Sequence, residues 1–236
     1  MHLTFLGTGS AIPIPRHQDK FDLSSPLHDC HQCRSNDPRD RRWPSALLID
    51  GHILIDAGPP IVKLLESVGV NPTRVEAVLL THRHRDAAGG LPALGQGIRQ
   101  IFPGSPGTFR VGQHNFQAFQ VPHDNRTWGY LVDEALAYFS DYSDIRAALP
   151  ALRRANIAIL DGSGWEQAFP THQPMKEVIP VVKAHTNLEA IYFTHVGHTR
   201  LTHMELERKT KNLGDDRFHI AYHGLKLALN STHESK

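Results

Sequence analysis

Short apolar runs rich in β-branched and aromatic residues recur along this chain, most of them bounded by Gly, Pro, Asn or Asp. That punctuation constrains the fold more than any other feature, because such runs bury as strands and stop at turns. It predicts strands at 2–6, 45–49, 53–56, 75–81, 108–111, 115–121, 128–132, 136–140, 157–160, 188–194 and 217–221. Helical patterns are fewer: 59–68, opening with Pro59; 91–98; 143–155, capped by Ser143; 174–184; and 202–212. Strands dominate the first half and strand–helix alternation appears in the second. The mixture suits an α/β protein with two sheets packed together and helices outside. At 236 residues the chain can bury a sizeable core. With no linker-like composition and no internal repeat, residues 1–236 read as one domain.

Charge is balanced, 25 Lys+Arg against 24 Asp+Glu, which gives no case for a nucleic-acid or membrane-surface partner. The opening Met1 to Ser10 is too short in its apolar part for a signal peptide, and nothing approaches a membrane span. A cytoplasmic protein is expected. Composition departs from the ordinary in its 17 histidines beside only two cysteines. Without a secretory leader, Cys30 and Cys33 point to metal or redox chemistry before a structural disulfide.

The apolar run Val75 to Leu80 leads straight into Thr81-His82-Arg83-His84-Arg85-Asp86-Ala87. On an extended backbone residues i, i+2 and i+4 face one side, so the two imidazoles and the carboxylate would converge. A strand end is also where α/β proteins place their chemistry. The alternative is a solvated loop that happens to hold two histidines. Against it, His123, Asp141 and His195 also follow predicted strands. Imidazoles and a carboxylate suit zinc, manganese or iron, and a carboxylate can bridge two ions.

The segment 13–43 is polar and irregular, a length of loop that is unusual unless it is functional or tied down. It contains His28-Asp29-Cys30-His31-Gln32-Cys33. Two thiolates separated by two residues make half of a tetrahedral zinc site; His28 would be a third ligand and His198 the candidate fourth. The competing reading is a pair of free cysteines in a loop.

Taken in order, Gly7-Thr8-Gly9-Ser10, Ile53-Leu54-Ile55-Asp56-Ala57-Gly58, Thr81-His82-x-His84-x-Asp86, His123, Ser140-Asp141 and Thr194-His195 resemble the metallo-β-lactamase superfamily over nearly the whole chain. The resemblance implies a four-layer αββα sandwich of two mixed β-sheets, with the metal site at the strand ends along one edge. It implies that His82, His84 and His123 hold a first metal, Asp86 and His195 a second, and that Asp141 bridges them. The family motif usually reads His-x-His-x-Asp-His. Ala87 stands in its last position here, so the second site is short of one imidazole, and His223 is a candidate replacement.

The cysteine loop resembles that of the PhnP-like phosphodiesterase subgroup, in which a Cys-x-Cys-x-x-Cys loop and a histidine just past the last active-site histidine bind a structural zinc. His28 stands here for the first cysteine. That resemblance implies His172 as general acid, with Asp86 and Asp141 its catalytic companions. The expected cofactors are one structural zinc and one or two catalytic zinc ions, with manganese or iron as options for the catalytic site. The expected activity is hydrolysis of a small cyclic phosphate or nucleotide-like diester by a metal-bound hydroxide, with a homodimer left open.

The related ribonuclease Z branch normally carries a protruding tRNA-binding arm, for which there is no insertion here. Between Asp86 and His123 the chain is short, with Gly104 to Gly107 compressing it. The alternative is a non-hydrolytic, PqqB-like zinc-binding protein on the same fold. Ala87 favours it, and retention of His82, His84, Asp86, His123, Asp141 and His195 disfavours it.

Overall fold

The computed structural model describes residues 1–12 and 30–229. One sheet orders its six strands as β13 (Lys226–Ala228), β1 (His2–Gly7), β2 (Ala46–Ile49), β3 (Ile53–Ile55), β4 (Ala77–Leu79) and β5 (Arg99–Ile101). The other orders seven: β12 (Phe218–Ile220), β11 (Ala190–Thr194), β10 (Ile157–Asp161), β9 (Leu136–Phe139), β8 (Thr127–Val132), β7 (His114–Val121) and β6 (Gly107–Val111). Both are mixed: β3 to β5 and β9 to β12 run parallel, and the remaining pairs are antiparallel.

The strand period of two sorts side chains between layers. Leu3, Phe5, Leu47, Ile49, Ile53, Ile55 and Leu79 face inward against Phe116, Trp128, Tyr130, Tyr138, Ile157 and Ile159. Their alternates, Leu6, Leu48, Leu54 and Val78, face outward to Ile61, Leu64 and Leu65 of α2 (Ile61–Ser67). On the second sheet Ala158, Leu160, Ile191 and Phe193 meet Val178, Ile179 and Val182 of α5 (Met175–His185) and Leu206 of α6 (His203–Lys211). Each buried Leu, Ile or Phe side chain contributes roughly 1.5–3 kcal/mol. The result is a four-layer αββα sandwich of two mixed sheets, as the resemblance implies.

The predicted strands all form, some of them shorter at their ends. Two more, β5 and β13, lie at opposite edges of the first sheet. Helix prediction held for α2, α5 and α6 and failed for two others. Residues 91–98 give only a 3₁₀ turn, Leu91–Leu94, and 143–155 a 3₁₀ turn, Ile145–Ala148, followed by a single α-turn, Leu149–Leu152. Asp144, not Ser143, caps that turn, accepting from the Arg146 N–H at 3.0 Å, while the Ser143 hydroxyl bonds the Pro122 carbonyl. The described part of the irregular loop is more ordered than expected, with a helical turn α1 (His31–Arg34) and a 3₁₀ turn Pro38–Asp40. Among the described residues no helix is long and apolar enough to cross a membrane.

Candidate metal centre

Strand direction gathers the site. β4, β7, β9, β10 and β11 all end on one edge of the sandwich, and His82, His123, Asp141, Asp161 and His195 stand at or just past those ends. Asp86 arrives differently from the extended alternation expected of it. The backbone turns helical at α3 (Arg85–Ala88), with His84 as its N-cap, so His82 and Asp86 meet at the i,i+4 spacing, Nε2 to Oδ1 3.5 Å.

Two local devices hold this turn. Asp56, in the left-handed region at φ 62°, accepts from the Thr81 N–H at 2.8 Å and the Thr81 hydroxyl at 2.7 Å. The same hydroxyl lies 2.9 Å from His82 Nδ1, which leaves Nε2 aimed at the cluster. Gly58 lets the α3 turn close, since a Cβ there would lie 1.9 Å from the Asp86 carbonyl oxygen.

Four sets of potential ligand atoms each lie within 4.8 Å of one another here: His82, His84 and Asp86; His123, Asp141 and His172; Asp86, Asp141 and His195; and Asp161, His172 and His195. The His195 Nε2 is 3.3 Å from Asp141 Oδ1 and 3.5 Å from Asp86 Oδ2. Asp141 is fixed by the Ser140 hydroxyl at 2.6 Å. Behind them Asp161, fully buried, accepts from or faces two imidazoles: His172 Nδ1 at 2.6 Å and His195 Nδ1 at 3.7 Å.

The donor set fits divalent cations. His82 Nε2, His123 Nε2 and both ring nitrogens of His195 are buried without a hydrogen-bond partner, a cost of roughly 1–3 kcal/mol per group unless something is bound there; His123 Nδ1 instead meets the Asp124 carboxylate at 2.5 Å. Electrostatics agree. Burial opposes charging His82, but Asp141, then Asp86, lift it to about 9. Burial likewise opposes a charged His195, and Asp141 and Asp161 raise it well above the usual imidazole range. Burial would raise Asp86, but the His195 and His82 imidazoles, each 3.5 Å away, hold its carboxyl far below the usual carboxylate range. The cluster is a concentration of negative charge that takes up cationic partners, protons or metals.

A second cluster joins Cys30, Cys33 and His198, with Cys33 Sγ 3.4 Å from His198 Nδ1 and no disulfide. The hydrogen bond from Cys33 is the chief reason the Cys30 thiol is lowered to about 4. His28, the expected additional ligand, lies outside the described residues. His223 joins neither cluster: its Nδ1 bonds the Leu6 carbonyl at 2.5 Å and its Nε2 the Ser67 hydroxyl at 3.1 Å.

Beside His84 a cavity of about 430 Å³ is lined by Arg83, Phe102, Pro103, Gly104, Asn125 and Arg126. The Arg83 guanidinium lies 4.6 Å over the Phe102 ring. Asn125 contacts His84, and the Asp124 carboxylate is 3.9 Å from the same ring. A larger cavity, about 590 Å³, lies away from the metal cluster, lined by residues of β6 to β8 and of the turn after β8, with Met1, Arg154 and Leu229. Sequence reading missed Asp161 and this basic groove. Asp161 was nonetheless signalled as an acid at the end of a predicted strand, followed by Gly162.

A family model of the metallo-beta-lactamase superfamily matches residues 44–100. An octanoyltransferase of Porphyromonas gingivalis is 24% identical over 272 residues, covering 98% of this chain and 52% of the relative. A ribonuclease Z of Pyrobaculum neutrophilum is 36% identical over 97 residues, 40% of this chain and 25% of the relative. The chain thus spans about half the length of the first relative and a quarter of the second. Among solved structures, a diphosphatase from the PhnP family superposes with a TM-score of 0.79 at 23% identity, covering 97% of this chain and 98% of that one. Zn(2+)-bound PqqB from Methylobacterium extorquens follows with a TM-score of 0.76 at 17% identity, covering 97% and 100%.

Proposed function

We propose that this chain, whose residues 44–100 match the family model of the metallo-beta-lactamase superfamily, is a metal-dependent phosphodiesterase acting on a small cyclic phosphate or nucleotide-like diester. The observation that carries this reading is the convergence of the buried His82 and His195 Nε2 atoms, neither hydrogen-bonded, on Asp86 and Asp141, with the arginine groove beside them. His82, His84 and His123 would hold one ion, Asp86 and His195 the other, with Asp141 on both. A pair of divalent ions bound there lowers the pKa of water to roughly 7 and neutralises phosphoryl oxygens.

The chain's own residues do the rest. Thr81 and Asp56 fix the His82 ring, and the Ser140 hydroxyl fixes Asp141. Arg83 and Arg126 supply fixed positive charge for the ester's anionic oxygens. The departing alkoxide needs a proton; His172, oriented by Asp161, is at the site, and proton donation and metal ligation are the two roles open to it. Cys30, Cys33 and His198 would hold a structural zinc with His28, fixing the loop beside the catalytic edge.

A second reading, a PqqB-like zinc-binding protein without hydrolysis, is favoured by Ala87. Asp141→Ala separates the two. Loss of bis(p-nitrophenyl) phosphate hydrolysis with the melting temperature retained supports the enzyme; unchanged turnover sinks the role of Asp141. An octanoyl thioester in the same screen tests acyl chemistry, the activity named for the Porphyromonas relative.

A further inference from the structure

Ala87 leaves the second metal without the imidazole that its motif position usually supplies, and among the described residues its immediate neighbours offer no replacement. The residue is 2% exposed; its carbonyl accepts from the Ala57 N–H at 2.7 Å and its own N–H reaches the His84 carbonyl at 3.2 Å. A methyl fixed in that position offers no donor atom. His223 has both ring nitrogens engaged elsewhere.

We propose that His172, arriving from the loop between β10 and α5, is the replacement ligand of the second metal, with Asp161 as the carboxylate that orients it. This rests on the two-metal reading above and deepens it. The rings of His82, His84 and His123, the expected first-metal set, have centroids 4.8 to 6.2 Å apart. The His172 ring is 5.0 Å from His123 and 5.1 Å from His195, within that same spacing. Its ligand atoms lie within 4.8 Å of those of His123 and Asp141 in one set, and of those of Asp161 and the second-metal residue His195 in another.

Orientation points the same way. His172 gives Nδ1 to Asp161 at 2.6 Å, which leaves Nε2 as its free nitrogen. His195 presents Nδ1 to the same carboxylate at 3.7 Å, stacks on His172 at an interplanar angle of 20°, and turns Nε2 to Asp86 and Asp141. One buried acid thus holds His172 through Nδ1 and faces the equivalent atom of the nearly parallel His195 ring, and an outer carboxylate bonded in this way fixes the ring and tautomer of a metal-bound histidine.

The loop is pinned at both sides of His172. Its N–H bonds the Phe169 carbonyl at 2.8 Å, and the Gln173 N–H bonds the carbonyl of Tyr142, the residue after Asp141, at 3.1 Å. The Gln173 side chain in turn accepts from the Ile145 N–H at 2.9 Å. A ligand can be contributed from this loop because it is anchored to the strand end that carries the bridging acid.

The test is a metal count after equilibration with Zn²⁺ or Mn²⁺ and dialysis, on the parent, His172→Phe, His172→Ala and Asp161→Asn. The phenylalanine keeps a ring stacked on His195 but has no nitrogen. Three metals in the parent, two in both His172 variants and an affinity for the last ion weakened at least tenfold in Asp161→Asn support the proposal. Three metals throughout overturn it, and His172 is then the proton donor; hydrolysis of esters with poor leaving groups would fall while p-nitrophenyl esters are spared. A parent that holds only one metal fails the two-metal reading itself, a result separate from any change at His172.

Discussion

At the scale of the residue, the candidate ligands that the fold brings together were legible because each follows an apolar run: His82 after β4, His123 after β7, Asp141 after β9 and His195 after β11. What escaped was what the chain brings together from afar. Arg83 stood inside the motif, but its partner in the groove, Arg126, is 43 positions further along by sequence number, and only the sandwich places both beside His84. Replacing either with alanine is expected to raise KM for an anionic diester about tenfold, the loss of one charge-assisted contact of roughly 1.5 kcal/mol, with kcat little changed. Steady-state kinetics at low and high salt check this; equal KM values would remove the groove from substrate binding. Gly58→Ala is expected to go further, because its Cβ would strike the Asp86 carbonyl. Metal content and melting temperature should fall together.

At the scale of the element, patterns with a clear end were read well and patterns without one were not. Thr202 and Glu205 form a reciprocal capping box at the start of α6, and that helix appears within a residue of its predicted ends. Thr202→Ala should cost about 1 kcal/mol, lowering the melting temperature by roughly 2–4 °C for a chain of this size. Residues 91–98 failed as a helix because Gly95 and Gly97 both take positive φ, which stops the turn at Leu94. β5 and β13 were missed because edge strands this short, half exposed and polar in places, carry no core period.

The connection into β12 offers a pH test. Arg217, by its hydrogen bond, lowers Asp215 to about 2, with Lys183 of α5 contributing charge at 3.6 Å. The folded pKa lies below the ordinary value of about 3.9, so the contribution is present above that value and is lost as pH falls toward 2. Asp215→Asn should therefore melt below the parent at neutral pH, with the gap closing between about pH 4 and pH 2. A gap that persists at pH 2 would contradict the assignment.

At the scale of the whole molecule, the sandwich brings two clusters to one edge. Val196 N–H bonds the Thr8 carbonyl, and His198 bonds the Ile12 carbonyl and Cys33, so the segment after β11 serves both the candidate active site and the cysteine loop. The loop is tied in further by Arg42, fully buried, which reaches Gln32, Thr8, the Ala221 carbonyl and His203. None of that network was visible in the sequence, where Arg42 looked like one more charge in a polar stretch. Cys33→Ala is expected to lower thermal stability, and chelation should lower the parent toward the variant. A variant as stable as the parent would remove the structural zinc.

A pair of catalytic metals beside a separate cysteine-held zinc is tested most directly by the metal content of the zinc-equilibrated, dialysed parent chain. Elemental analysis should give about three ions per chain. A single ion, lost when Cys33 is replaced, would contradict the two-metal hydrolase and leave the zinc-binding scaffold.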